Sequence, residues 1–96
     1  MTLQKNGVKK MTAREMFEKL GYQEEPGYFK IKTYCRTVYS KGYTYYVRIK
    51  FFETAKRVDK SLSMYALYDG YEEWERHLTI EEIKAIHKQL EELGWL

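Results

Sequence analysis

The chain predicts an α+β fold, a two-layer sandwich α-β-β-β-α in which an antiparallel three-stranded sheet carries both helices on one face. Three observations predict it. First, Met11-Thr12-Ala13-Arg14-Glu15-Met16 and Leu78-Thr79-Ile80-Glu81-Glu82-Ile83 open in the same way. In each, a Thr hydroxyl can accept the N3 amide and a Glu three residues on can accept the Thr amide. Apolar residues at N′ and N4 can staple the entry. Second, both segments close on glycine, in Leu20-Gly21-Tyr22 and Leu93-Gly94-Trp95, and glycine takes the left-handed C′ conformation cheaply. Third, the tyrosine-rich stretch between them changes to a period of two, the signature of strands.

Residues 1–10 lack periodicity and are expected to be a flexible basic tail, so that 11–96 form a single α+β domain. The first helix is expected over 12–20, with Ala13, Met16, Phe17 and Leu20 on one face. Glu24-Glu25-Pro26-Gly27 reads as a turn into the sheet. From Tyr28, alternation places Phe29, Ile31, Thr33 and Cys35 inward, and Lys30, Lys32, Tyr34 and Arg36 outward. Ser40-Lys41-Gly42 is a hairpin signal. The next strand puts Tyr43, Tyr45, Val47, Ile49 and Phe51 on one side and Thr44, Tyr46, Arg48 and Lys50 on the other. A polar break spans 53–60. A third strand over 61–68 turns Leu62, Met64 and Ala66 inward and Ser61, Ser63 and Tyr65 outward. Residues 71–77 read as an acidic connector whose Trp74 plugs a core edge. The second helix, over 79–93, presents Ile80, Ile83, Ile86, Leu90 and Leu93, and Trp95 with Leu96 is expected to tuck back against the sheet.

Composition narrows the class. A chain of 96 residues, 44% hydrophobic and 17% aromatic, suits one folded domain. The single cysteine, Cys35, rules out an intrachain disulfide and fits a reducing compartment. No apolar run approaches the roughly 18 residues of a spanning helix. The net charge of +3 is unevenly spread: residues 28–60 carry nine basic and two acidic side chains, and 61–96 carry three basic and eight acidic ones. That asymmetry has two readings, a basic binding face or an acidic C-terminal segment folded over basic strands.

The sheet face left open by the helices is the candidate site. On this register it displays Lys30, Lys32, Tyr34, Arg36, Tyr46, Arg48, Lys50 and Tyr65. Arg and Tyr are the residues enriched at protein-interface hot spots. The same mixture of cations and aromatic rings also suits single-stranded nucleic acid, although the glycine-and-aromatic RNA-recognition motif is missing. Catalysis has little support. Neither His77 nor His87 belongs to a nucleophile–base pattern, and His87 reads as a partly buried packing residue. Cys35 reads as a small inward hydrophobe. The carboxylate pairs, Glu81-Glu82 among them, splay apart and read as solvated faces. One Cys and two distant His are not a metal-ligand set.

Over the segments 11–22 and 78–95, the chain resembles small uncharacterised proteins encoded in phages and prophages of Gram-positive bacteria. The resemblance covers about a third of the chain. It begins near Met11, which implies that 1–10 is an added tail. It implies no catalytic residue, and it implies a bacterial cytoplasmic setting in which such proteins bind host or phage components, with anti-defence roles as examples. The expectation is therefore a non-enzymatic accessory protein, a protein-binding module working through the open basic and tyrosine-rich face. The alternative is a single-stranded nucleic-acid binder using that face. Either way the protein is expected to be a monomer or homodimer without cofactor, metal or membrane partner.

Overall fold

In a computed structural model, residues 10–27, 30–64 and 77–96 are described. Helices α1 (Ala13–Lys19) and α2 (Ile80–Glu92) begin with complete capping boxes. Thr12 Oγ1 accepts the Glu15 amide at 3.1 Å and Thr79 Oγ1 accepts the Glu82 amide at 3.0 Å. The two Glu carboxylates accept the Thr amides in return, at 2.8 and 2.9 Å. Both helices end in the same double bond. Tyr22 and Gly21 amides donate to Phe17 and Glu18 carbonyls, and Trp95 and Gly94 amides to those of Leu90 and Glu91, all at 3.0 Å. This is the Schellman closure, with Gly21 at φ +91° and Gly94 at φ +76°.

Among the described residues the sheet has four strands rather than three: β1 (Gln23–Glu25), β2 (Ile31–Ser40), β3 (Tyr43–Phe52) and β4 (Arg57–Met64), an antiparallel meander in chain order. The additional strand lies where a turn is expected. Three residues are too few to show a period, and Glu is a poor strand former, so β1 exists because β2 offers it a pairing edge. The β2–β3 loop has Lys41 at φ +51° and Gly42 at φ +80°, the two-residue turn whose twist matches the strands. β4 starts at Arg57, inside the expected polar break. Its expected continuation through Tyr65, Ala66 and Tyr68 lies outside the described residues, as do Phe29, Trp74 and the 1–9 part of the tail.

The register of β2 is the main correction. Lys32, Tyr34 and Arg36 lie opposite Phe51, Ile49 and Val47, so they share the helix-covered face, while Ile31, Thr33 and Cys35 lie on the other. A pleat has a period of two, so one misread residue reverses the whole strand. Packing decides the choice. The Phe17 ring stacks on Tyr34 at 4.1 Å and meets Tyr22 and Phe51 edge-on at 5.7 and 6.1 Å. With Val47, Ile49 and Ala85 these rings form the buried core between sheet and helices. Lys32 reaches Glu24 at 2.8 Å, and Arg36 lies over the Tyr22 ring at 5.2 Å. Both cations thus lay their stems along the core and keep their heads at its margin.

α2 is also rotated from the expected face. Glu82, Ala85 and Gln89 are its buried residues, backed by Ile86, Leu90 and Leu93, whereas Ile80 and Ile83 are 63% and 46% exposed. His87 is exposed rather than packed, 4.0 Å from Glu91. Leu96 points to solvent, while Trp95 packs on the core cluster with Lys56 5.1 Å from its ring centre. Two polar residues face the sheet because partners wait there. The Tyr34 hydroxyl donates to Gln89 Oε1 and the Tyr22 hydroxyl to Glu82 Oε2, each at 2.5 Å. No described helix is long and apolar enough to cross a membrane.

Candidate binding face of the sheet

An antiparallel sheet can leave one face to water, and here both helices dock on the same side. The other side is organised by cross-strand rows. One row runs Glu25, Thr33, Lys50, Asp59, and the next runs Gln23, Cys35, Arg48, Ser61. Glu25 does not bind within its own row. It crosses diagonally to Arg48, whose Nε donates to Oε1 at 3.0 Å and whose second amino nitrogen lies 3.4 Å from Oε2. Arg48 also donates to Ser63 Oγ at 3.2 Å and lies 5.5 Å from the centre of the Tyr46 ring. Three neighbours, Glu25, Ser63 and Tyr46, therefore fix one guanidinium in the middle of the open face.

The Glu25–Arg48 bridge separates two recesses. One, of about 550 Å³, is lined by Gln23, Cys35, Thr37, Tyr46 and Arg48 with the β1 edge. The other, of about 370 Å³, is lined by Glu25, Pro26, Ile31, Thr33, Arg48 and Lys50. Burial pushes the Cys35 thiol above its ordinary pKa, and Arg48 opposes that only in part. Cys35 thus faces the open side, contrary to expectation, but as a neutral thiol and not an activated nucleophile.

The eight expected site residues divide. Tyr46, Arg48 and Lys50 share the open face. Lys32, Tyr34 and Arg36 are on the covered face, and Tyr34 is fully buried. Lys30 sits in the turn before β2 at φ +58°, and lines a recess of about 270 Å³ with Glu53 and Trp95 at the sheet's end. Tyr65 lies outside the described residues. Glu25 and Thr33 belong to this face although the sequence expectation omits them. No signal in the chain marks Glu25 as a strand residue, and the alternation from Tyr28 places Thr33 on the opposite face.

A second charged centre occupies the covered face. Glu82, expected to be solvated, is 3% exposed. It accepts from the Thr79 amide, from Tyr22 and from Lys60 Nζ at 3.0 Å, with Arg36 4.0 Å away. Lys60 also donates to the His77 carbonyl at 2.6 Å. Burial opposes the charge on Glu82, but the hydrogen bonds from Tyr22, Thr79 and Lys60 outweigh it and hold the carboxyl below its ordinary pKa. Burial, with Glu82 beside it, pushes the Tyr22 hydroxyl well up. So part of the acidic C-terminal segment does neutralise the basic strands, on the face that the helices cover. Among the described residues no three His, Cys, Asp or Glu side chains cluster as metal ligands. Comparison with protein-family models, with curated proteins and with solved structures gives no match.

Proposed function

We propose that the protein is a non-enzymatic binding module that engages a protein partner through the open face around Tyr46, Arg48 and Lys50. The setting is the one its helices resemble, a phage or prophage accessory protein in the bacterial cytoplasm with a host-factor or anti-defence role. The observation that supports the reading is the state of Arg48. It is held by Glu25 and Ser63 beside Tyr46, on the face neither helix covers. A pre-positioned Arg beside a Tyr loses little side-chain freedom on binding, which favours affinity at an interface.

The nucleic-acid alternative is weakened by the register of β2. Binding to a phosphate backbone draws on several cations that step along it, and on open rings for stacking. Lys32 and Arg36 lie on the other face and Tyr34 is buried there. Glu25 and Asp59 offset two of the cations that remain, Arg48 and Arg57.

Photo-crosslinking tests the proposal. A benzophenone side chain at Thr37, on the open face, should form a covalent protein adduct in lysate from a prophage-induced host, and one at Lys84 on α2 should not. The double charge reversal R48E/K50E should abolish the adduct and leave the circular dichroism spectrum unchanged. An oligonucleotide shift at low salt that the same reversal removes would replace the protein partner with nucleic acid.

A further inference from the structure

Among the described residues, Lys50 is a cation of the open face left without a hydrogen bond or ion pair. Its row places a carboxylate on each side, Glu25 beyond Thr33 and Asp59 directly opposite. Both are engaged elsewhere, Glu25 on a cross-strand diagonal and Asp59 along its own strand. Glu25 is taken by Arg48, and Asp59 accepts Arg57 Nε at 3.1 and 3.2 Å. Among the described residues Lys50 makes no hydrogen bond or ion pair. Beside it, Thr33 is 5% exposed, and among the described residues its hydroxyl makes no hydrogen bond. A buried hydroxyl with no partner is unfavourable, and such groups nearly always find one. Both residues line the same 370 Å³ recess, and Arg48 lines it as well.

We propose that this recess is a seat for one carboxylate, supplied by an acidic side chain of the protein partner, with the Lys50 ammonium and the Thr33 hydroxyl as its donors. This deepens the reading of the open face given above and rests on it. The charge balance selects the ligand. One unmatched cation suits a monoanion, while the Glu25 carboxylate on the rim repels a doubly charged phosphate. The seat also gives the partner a register, because Lys50 and Thr33 are direct cross-strand neighbours on rigid strands.

The test uses the folded chain and small probes, followed by NMR at the Thr33 methyl and the Lys50 ε-methylene. N-acetylglutamate α-amide should produce saturable shifts at both, and the isosteric N-acetylglutamine amide should produce none. Lys50→Gln and Thr33→Val should each weaken the glutamate probe roughly tenfold, the scale of one charge-assisted hydrogen bond. Thr33→Val should not lower the melting temperature, because among the described residues its hydroxyl has no partner to lose. Equal shifts with the glutamine probe, or a clear fall in melting temperature in Thr33→Val, would overturn the seat. So would tighter binding of inorganic phosphate or of a thymidine oligonucleotide at the same two residues. A crosslink from Thr37 that persists without carboxylate-specific shifts would remove the seat and keep the binding face. Carboxylate-specific shifts with no crosslink would keep the seat and remove the protein-binding reading.

Discussion

Glu82 and Glu25 each clamp a cation on the sheet, but on opposite faces and at opposite burial. The Glu82 and Lys60 side chains are 4% and 6% exposed, whereas those of Glu25 and Arg48 are 36% and 30% exposed. Removing two charges from water is costly. The buried pair persists because Tyr22, Thr79 and the His77 carbonyl fill the remaining hydrogen-bonding positions. The outer pair is partly solvated and contributes little to folding. The difference separates roles: the inner centre ties α2 to the sheet, and the outer one holds Arg48 in place at the open face.

The comparison can be broken most directly at Glu82. Glu82→Ala removes the N3 cap and leaves Lys60 buried without its counter-charge, and urea unfolding should show a loss of about 3–5 kcal/mol. A loss close to that of an exposed pair would erase the distinction. The same site predicts a pH signature. The folded state holds Glu82 below its ordinary value of 4.5, so its contribution is present above that value and is lost as pH falls through the depressed one. Glu82→Gln should flatten the acid limb of stability in that range.

Tyr34→Phe comes next. It leaves the buried Gln89 Oε1 without the Tyr34 hydroxyl, and thermal unfolding should register about 1–3 kcal/mol. Gly21→Ala probes the covered face at the margin of its charged centre, where Arg36 lies. Gly21 sits at φ +91°, and a β-carbon there would lie 3.3 Å from Arg36 Cδ. The expected cost is about 1–2 kcal/mol, measured by denaturant midpoint. The smallest effect belongs to the open face, where Arg48→Ala and Glu25→Ala should each change stability by less than about 1 kcal/mol. Either should still impair the Thr37 crosslink, which is the contrast that sharpens the comparison.

How far the fold was legible depends on how local its chemistry is. Both capping boxes and both glycine closures follow from residues three to five apart, and they stand where expected. β3 alternates cleanly, and Tyr46, Arg48 and Lys50 fall on the open face as its pattern predicts. β2 offers two competing sets, Ile31, Thr33 and Cys35 against Lys32, Tyr34 and Arg36. Each set is part apolar, because Lys and Arg carry aliphatic stems, and its own period could not rank them. The stacking of Phe17 on Tyr34 ranks them. α2 misleads for a related reason. Isoleucines 80 and 83 look like core, yet the helix turns Glu82 and Gln89 inward to reach tyrosine hydroxyls at positions 22 and 34.

The chain's own chemistry therefore settles the α+β class, the four helix ends, the hairpin turn and the face of β3. These depend on hydrogen bonds and alternation within a few residues. Tertiary structure decides the fourth strand, the register of β2, the rotation of α2, and which carboxylate meets which cation. Those outcomes are set by contacts between residues far apart in sequence, where an aromatic stack and a few buried hydrogen bonds outweigh local hydropathy. The candidate site bears both marks. Arg48 and Lys50 come from a legible strand, and the diagonal pull of Glu25 toward Arg48, away from Lys50, exists only once β1 has paired.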